Sequence, residues 1–198
     1  CYFTGATART LKSLEKSGLI TLAPAEVLRV PKPEAADGAP IVLSEEQQAA
    51  YDGVVQRLDG ESASCALLYG VTGSGKTLVY IRLLQEVVRR GRRGMVLVPE
   101  IALTPQMMAR FSAYFGDRVV MLHSGLRMTE RYDQWKRIRR GEVDIVLGTR
   151  SAVFAPLENL GMIILDEEHE SSYQSENPPR YHARDVAKFL CAQQNAVL

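Results

Sequence analysis

The segment 70–77, Gly-Val-Thr-Gly-Ser-Gly-Lys-Thr, constrains the fold of this chain more than any other stretch. It fits the pattern G-x-x-x-x-G-K-[ST] without a mismatch, and it lies between an apolar run at 66–69 and a helical pattern at 77–90. Glycines let the backbone curl so that successive N–H groups face phosphate oxygens, and the helix N-terminus adds partial positive charge. The alternative is a chance match in a glycine-rich turn, but the context favours a phosphate-binding strand–loop–helix unit.

The chemistry of this loop gives its residues separate tasks. Lys76 is expected to reach the β- and γ-phosphates of a nucleotide, and the Thr77 hydroxyl is expected to ligate Mg²⁺. The other residues expected to contact the nucleotide are Gly70, Val71, Thr72, Gly73, Ser74 and Gly75. The predicted cofactors are therefore ATP and Mg²⁺.

An acidic box, Asp166-Glu167-Glu168-His169, directly follows the apolar run 162–165. An apolar strand that ends in acidic residues is typical of the second half of a P-loop nucleotide-hydrolysing site. Asp166 is expected to hold Mg²⁺, directly or through water, and Glu167 to orient and deprotonate the attacking water. Alone, the box could equally be a solvated acidic loop. The phosphate loop upstream favours the catalytic interpretation, with Lys76, Asp166 and Glu167 as the catalytic residues.

Strand and helix patterns alternate from residue 41 onward. The predicted helices are 44–58, 77–90, 104–115, 128–140 and 183–194. The predicted strands are 66–69, 95–98, 119–122, 143–147 and 162–165, with the start of another at 196–198. The strands are apolar throughout, which favours an α/β fold with a mostly parallel sheet covered by helices on both faces. One face of the fourth helix, with Met128, Tyr132, Trp135 and Ile138, is predicted to be core.

Residues 1–30 have a different character. A helical pattern at 7–17 is stopped by Gly18, and two short apolar runs follow at 19–22 and 27–30. Helix followed by hairpin is typical of the C-terminal part of a winged-helix DNA-binding domain. Residues 31–40 are rich in Pro, Ala and Gly and predict a linker, so the expected units are 1–30, 31–40 and 41–198.

Composition limits the function classes. The formal net charge is +1, so any DNA contact must come from a local patch rather than a global field. No apolar run reaches transmembrane length. The cysteines Cys1, Cys65 and Cys191 are odd in number and far apart, which argues against a disulfide framework and against a zinc site in this chain. They are expected to be buried free thiols in a reducing compartment.

Five further segments carry a family resemblance: 96–106 (VLVPEIALTPQ), 122–125 (LHSG), 148–154 (GTRSAVF), 166–173 (DEEHESSY) and 179–185 (PRYHARD). They closely resemble the PriA family (primosomal protein N′) of bacterial replication-restart helicases, within superfamily 2. The match runs from about residue 43 to the end of the chain, and residues 1–30 fit less specifically. The resemblance implies a RecA-like P-loop NTPase lobe preceded by a partial winged-helix unit.

This resemblance implies an ATP-dependent 3′→5′ DNA helicase that recognises stalled forks and helps reload the replicative helicase. Its implied partners are forked or junction DNA, primosome proteins and single-stranded-DNA-binding protein, for a monomer in the bacterial cytoplasm and away from membranes. Gln47 is placed like the glutamine that reads adenine. The residues implied in DNA binding or coupling are Thr104, Gln106, Thr149, Arg150, Ser151, His169, Tyr173, Arg180, Tyr181 and Arg184.

The loop 173–184 is expected to couple DNA binding to ATP hydrolysis. Tyr173 and Tyr181 would offer stacking faces, and Arg180 and Arg184 would offer phosphate contacts. Plainer interpretations remain beside these: Arg150 as an exposed arginine after a strand, and His169 and His182 as ordinary capping or core histidines.

The resemblance also implies that the family's chain continues beyond residue 198 with the third helicase motif, a cysteine-rich zinc module and a second motor lobe that supplies an arginine for phosphoryl transfer. The present chain alone is therefore expected to bind nucleotide weakly and hydrolyse it poorly. Two alternatives stay open: another superfamily 2 translocase, such as a RecG-like fork-reversal motor, and a nucleotide-switched DNA-binding scaffold.

Overall fold

The first helix, α1 (Ala8–Lys16), confirms the helix predicted at 7–17 and its end before Gly18. The computed structural model describes residues 7–23, 38–71 and 73–198. The Thr7 side chain accepts a hydrogen bond from the N–H of Thr10, and Gly18 follows the helix with φ 72°. Most of the predicted hairpin and linker lies outside the described residues, so the winged-helix unit stays a prediction.

Four parallel strands form one sheet, and their spatial order is β2–β3–β1–β4. Their bounds are β1 Arg93–Leu97, β2 Val119–Leu122, β3 Ile145–Gly148 and β4 Leu160–Leu165. Because helices cover both faces, most of the strand residues are buried. The predicted mostly parallel α/β fold is confirmed.

Five helices surround the sheet: α2 Glu45–Leu58, α3 Lys76–Arg89, α4 Pro105–Phe115, α5 Met128–Arg139 and α6 Ala183–Gln194. A capping box begins α2, because the Ser44 side chain and the Gln47 side chain each bond the other residue's backbone N–H. Among the described helices, none has the length and apolar character needed to cross a membrane.

The core lies on both faces of the sheet, as alternation along β1 shows. Met95 and Leu97 face the layer that contains Ile138 of α5 and Ala187 of α6, whereas Val96 packs with Leu84 of α3 and Phe111 of α4. Each large apolar side chain buried in this way contributes roughly 1.5–3 kcal/mol to stability. The two layers hold the carboxyl ends of all four strands at one edge of the sheet.

The predicted strand 66–69 is wrong as a strand in this structure. Residues 196–198 lie between β4 and this segment, but their hydrogen bonds reach only from Ser64 to Ala66. Beyond Ala66 the segment lacks a ladder partner among the described residues, and Leu67 and Tyr69 are 79% and 92% exposed. Cys65 in the same segment is also exposed, which corrects the expectation of a buried thiol there, whereas Cys191 is buried.

The prediction that one face of α5 packs in the core is correct for two of its four residues and wrong for the other two. Ile138 is buried and Trp135 is partly buried, but Met128 and Tyr132 are 85% and 60% exposed. The inward face instead carries polar residues, Asp133, Gln134 and Arg137. Arg137 is satisfied there by the carbonyl of Asp117 and the side chain of Gln134. Because these groups are polar, an apolar periodicity does not reveal them.

Candidate nucleotide and metal site

The phosphate loop leads directly into α3. Gly73 and Gly75 adopt left-handed backbone angles of 84° and 81° in φ, which side chains disfavour. Lys76 is the first residue of α3, and its Nζ donates a hydrogen bond to the Gly70 carbonyl at 2.7 Å. The loop is thus closed on its own carbonyl, and a phosphate oxygen would replace that acceptor. Thr72 lies outside the described residues, so its predicted contact stays a prediction.

Gln47 contacts the phosphate loop directly. Its Nε2 donates to the Ser74 carbonyl at 2.8 Å, and its Oε1 accepts from the Ser44 N–H at 3.0 Å. A Cβ atom on Gly75 would lie only 2.5 Å from that Nε2 and would displace the Gln47 side chain, and the φ of 81° at Gly75 also disfavours a side chain. A cavity of about 250 Å³ beside these groups is lined partly by Gln47, Tyr69 and Lys76. This location fits the prediction that Gln47 reads a nucleotide base, which stays a prediction.

The acidic box begins where β4 ends, and Asp166 is held there from three directions. Its N–H donates to the Leu97 carbonyl at 2.9 Å, which joins it to β1. The Tyr173 hydroxyl lies 2.7 Å from the Asp166 carbonyl and 2.8 Å from that of Leu97. The Tyr80 hydroxyl donates to Asp166 Oδ1 at 3.0 Å. Both the backbone and the carboxylate of Asp166 are therefore fixed by neighbouring groups.

The two tyrosines remain protonated donors. Burial raises the pKa of the Tyr80 phenol above its ordinary value, and the nearby Asp166 carboxylate raises it further. The pKa of Tyr173 is raised for the same reasons in the same order. Their roles at Asp166 were missed at the sequence level, although Tyr80 stands four residues after Lys76, the spacing of one helical face.

Glu167 combines a strained backbone with a close lysine. Its φ is 48°, in the left-handed region that residues other than glycine rarely adopt. Such strain concentrates at functional positions, where the surrounding structure holds it. Glu167 Oε1 lies 3.6 Å from Lys76 Nζ. The fold thus brings the predicted general base and the predicted phosphate-binding lysine together.

The residues present fit a magnesium nucleotide. Among the described residues, no three His, Cys, Asp or Glu side chains cluster closely enough to hold a metal. Mg²⁺ is commonly held by one or two protein oxygens together with water and phosphates, and Thr77 and Asp166 offer that kind of partial shell.

The predicted DNA-contacting residues follow the carboxyl ends of three strands. Thr104 caps α4 after β1, and its side chain accepts from the N–H of Met107. Gln106 also follows β1, on α4, whereas Thr149, Arg150 and Ser151 follow β3 and the remainder follow β4. Gln106 and Ser151 are exposed, whereas Thr149 is buried at 4% exposure. These residues therefore follow strand ends at one edge of the sheet, but the Thr149 side chain is not open to solvent there.

The expectation that Tyr173 offers a stacking face is wrong, because its side chain is only 1% exposed. Tyr173 is a core residue that bonds Asp166 instead. Tyr181 is half-buried, with its ring 4.9 Å from that of Phe154 in an edge-to-face contact, and Arg180 is exposed. The Arg150 guanidinium donates to the carbonyls of Ser172 and Gln174, on either side of Tyr173.

His182 and His169 lie in different surroundings. His182 caps α6, because its side chain accepts a hydrogen bond from the Arg184 N–H at 3.1 Å. His169 is exposed, and its Nδ1 lies 3.9 Å from Glu167. Arg184 pairs with Glu168 at 3.0 Å, which ties α6 to the acidic box. The loop 173–184 is therefore attached to the site at both of its ends.

Residues 44–196 match the family model of the DEAD/DEAH box helicases. The chain therefore belongs to that family. It is also similar to replication restart protein PriA of Bacillus subtilis (strain 168), at 48% identity over 94% of this chain and 24% of that protein. PriA of Synechocystis (strain PCC 6803) is 47% identical over 92% of this chain and 22% of that protein. These relatives confirm the resemblance to the PriA family, and the chain spans about a quarter of their length.

A solved structure of RecG bound to a three-way DNA junction shares the fold. It superposes with a TM-score of 0.56 at 20% sequence identity, over 80% of this chain and 24% of that one. At this identity the likeness supports the fold alone. It confirms the predicted α/β fold with a mostly parallel sheet, without deciding between the two fork-acting motors considered from the sequence.

Proposed function

We propose that this chain is the ATP-binding lobe of an ATP-dependent DNA helicase of replication restart. The observation that carries the proposal is the 3.6 Å approach of Lys76 to Glu167, beside an Asp166 that neighbouring groups hold in place. Phosphate binding and water activation need these groups within one small site. Family membership makes ATP the expected nucleotide.

The residues of the site divide the chemistry among them. Lys76 and the loop N–H groups bind the β- and γ-phosphates, while Thr77 and Asp166 hold Mg²⁺. Bound Mg²⁺ supplies positive charge against the charge that develops on the phosphates. Glu167 accepts the proton of the attacking water. Gln47 contacts the base from its position on α2.

The proposed DNA surface is the edge formed by the carboxyl ends of β1, β3 and β4. Gln106, Ser151 and Arg180 are exposed there and contact the DNA backbone in this proposal. Arg150, Tyr173 and Arg184 act inside the protein by fixing the loop that follows the acidic box. DNA contact at that loop then changes the surroundings of Asp166 and Glu167, which couples the two activities.

The whole protein is proposed to unwind DNA with 3′→5′ polarity, recognise stalled forks and help reload the replicative helicase. Its proposed partners are primosome proteins and single-stranded-DNA-binding protein, and its proposed state is a cytoplasmic monomer. Zinc is proposed only for a module outside this chain. These statements rest on the likeness to the PriA proteins of two bacteria.

Lys76→Ala in the full-length protein tests the proposal. We expect ATP hydrolysis to fall by at least about 100-fold, because the lysine stabilises charge on the transferred phosphoryl group. Binding to forked DNA should persist, because the lysine faces the nucleotide site. Lys136→Ala on α5 removes an equal charge and should leave hydrolysis intact. Loss of fork binding together with hydrolysis would show that the loop is structural, and unwinding that stays flat with ATP would favour the switched scaffold.

A further inference from the structure

The hydroxyl of Tyr80 has no part in the functions proposed above for the phosphate loop. It lies on α3 among buried apolar neighbours in sequence, Val79 and Ile81, and is itself only 7% exposed. A phenylalanine would fill the same volume without a polar atom in an apolar interface. The hydroxyl is therefore explained by its partner rather than by packing, and that partner is Asp166 Oδ1 at 3.0 Å.

We propose that Tyr80 is a positioning residue that fixes the Asp166 carboxylate for Mg²⁺. This inference rests on the proposed function, because it gives Asp166 its metal. The main chain of Asp166 is already held by the carbonyl of Leu97 and the hydroxyl of Tyr173. What remains free to turn is the carboxylate, and the Tyr80 bond to Oδ1 stops that rotation. That bond leaves the other carboxylate oxygen, Oδ2, available to the metal or to its bound water.

The position of Tyr80 on α3 gives this bond a second consequence. Lys76, Thr77 and Tyr80 stand on the first turns of one helix, and residues four apart share a helical face. One rigid element therefore carries the lysine for phosphate, the hydroxyl for Mg²⁺ and the donor that orients the second metal-binding oxygen. The phosphate side and the metal side of the site keep a fixed relation because one helix sets both.

A metal-binding side chain that can turn loses entropy when it binds the metal. A hydrogen-bonding partner that holds the side chain in place beforehand reduces this cost. Groups that hydrogen-bond a metal-binding residue orient it, and their loss typically costs about 10–100-fold in metal affinity or activity. Tyr80 donates to a carboxylate, which makes the bond charge-assisted and stronger than a neutral one. Its effect should therefore be seen in the Mg²⁺ dependence of nucleotide binding rather than in the fold.

Tyr80→Phe in the full-length protein is the test, with binding of a fluorescent ADP analogue followed during a Mg²⁺ titration. We expect the Mg²⁺ concentration at half-saturation to rise roughly 10-fold, while analogue binding in excess EDTA and the circular-dichroism spectrum of the folded protein stay as in the parent protein. Tyr114→Phe is the matched control. It removes a hydroxyl that donates to the Ala39 carbonyl at an exposed position, and its Mg²⁺ curve should match that of the parent.

A double-mutant cycle with Asp166→Asn separates positioning from a general structural role. If Tyr80 acts through the carboxylate, Tyr80→Phe should change the Mg²⁺ dependence little once Asp166 is Asn. Coincident Mg²⁺ curves for parent and Tyr80→Phe, or an equal loss of binding in EDTA, would overturn the role of Tyr80 alone. Absence of any Mg²⁺-dependent nucleotide binding in the parent protein would overturn the proposed function as well.

Discussion

The phosphate loop and the acidic box face each other across one site, but the protein holds them in different ways. The loop is exposed at Gly73 and Ser74, and its lysine donates to the loop's own Gly70 carbonyl. Asp166, by contrast, receives or gives hydrogen bonds to three residues from β1, α3 and the loop after β4. The proposed metal ligand is thus already held by its neighbours, whereas the proposed phosphate-binding lysine would have to exchange a partner.

The two segments that lead into these groups also differ in their pairing. β4 is paired with β1 along its length, so its carboxyl end is fixed when Asp166 begins. The segment before the phosphate loop is bonded to residues 196–198, and that pairing covers Ser64 to Ala66.

The largest effect is expected from Glu167→Gln, in the acidic box. ATP hydrolysis by the full-length protein should fall about 10²–10⁴-fold, because the amide cannot accept a proton from water. Nucleotide binding should remain, since Lys76 and Asp166 are unchanged. Glu170→Gln removes the same charge three positions away and should leave hydrolysis near the parent rate. Equal rates for Glu167→Gln and the parent would mean that another residue activates the water.

The next largest effect is expected in the free energy of unfolding, which should respond more to a change beside the acidic box than to one in the phosphate loop. Tyr173→Phe leaves the Asp166 carbonyl without its hydroxyl donor, and we expect the free energy of unfolding in denaturant to fall by about 1–3 kcal/mol. Ser74→Ala, in the exposed phosphate loop, should change the same quantity by less than about 0.5 kcal/mol. The contrast between the two sides would be broken if both variants unfolded at the same denaturant concentration as the parent.

The smallest effect is expected at the far end of α3. Hydrogen bonds from Arg89 and then Arg90 lower the pKa of Glu86 from 4.5 to about 2. The stabilising contribution is therefore fully present above about pH 4.5 and is lost as the pH falls from there toward 2. Because the Arg89 partner is mostly exposed and solvent screens its charge, Glu86→Gln should lower the free energy of unfolding by about 1 kcal/mol or less at neutral pH.

A pH series of denaturant unfolding from neutral to about pH 3 measures this contribution. The difference between parent and Glu86→Gln should shrink as the carboxylate takes up its proton. Glu61→Gln, on an exposed turn, is the control for a surface carboxylate. A difference that grew with acidity would reverse the sign of this argument, and a nucleotide-dependent difference would mean that α3 transmits changes from the phosphate loop.

Most of the fold and about half of the candidate site could be predicted from the sequence. The capping box at Ser44, the span of α6 and the stop at Gly116 were all predictable, because each depends on residues within a few positions of one another. The prediction of a strand at 66–69 was wrong because the hydrogen bonds from residues 196–198 reach this segment only as far as Ala66. The apolar face of α5 failed because polar groups with good partners can also face inward.

The amino-acid sequence by itself determined the motifs of this protein and the fold that carries them: a phosphate-loop motif ending in Lys76 and Thr77, an acidic box that begins with Asp166 and Glu167, and a mostly parallel sheet. Such motifs are readable because their residues are contiguous and their spacing matches one strand, turn or helix. Tertiary structure alone decided that Tyr80 and Tyr173 hold Asp166 and that Tyr173 is buried rather than open to DNA. Tyr80 and Asp166 stand 86 positions apart, and a hydrogen bond over that separation exists only after the sheet and its helices have packed.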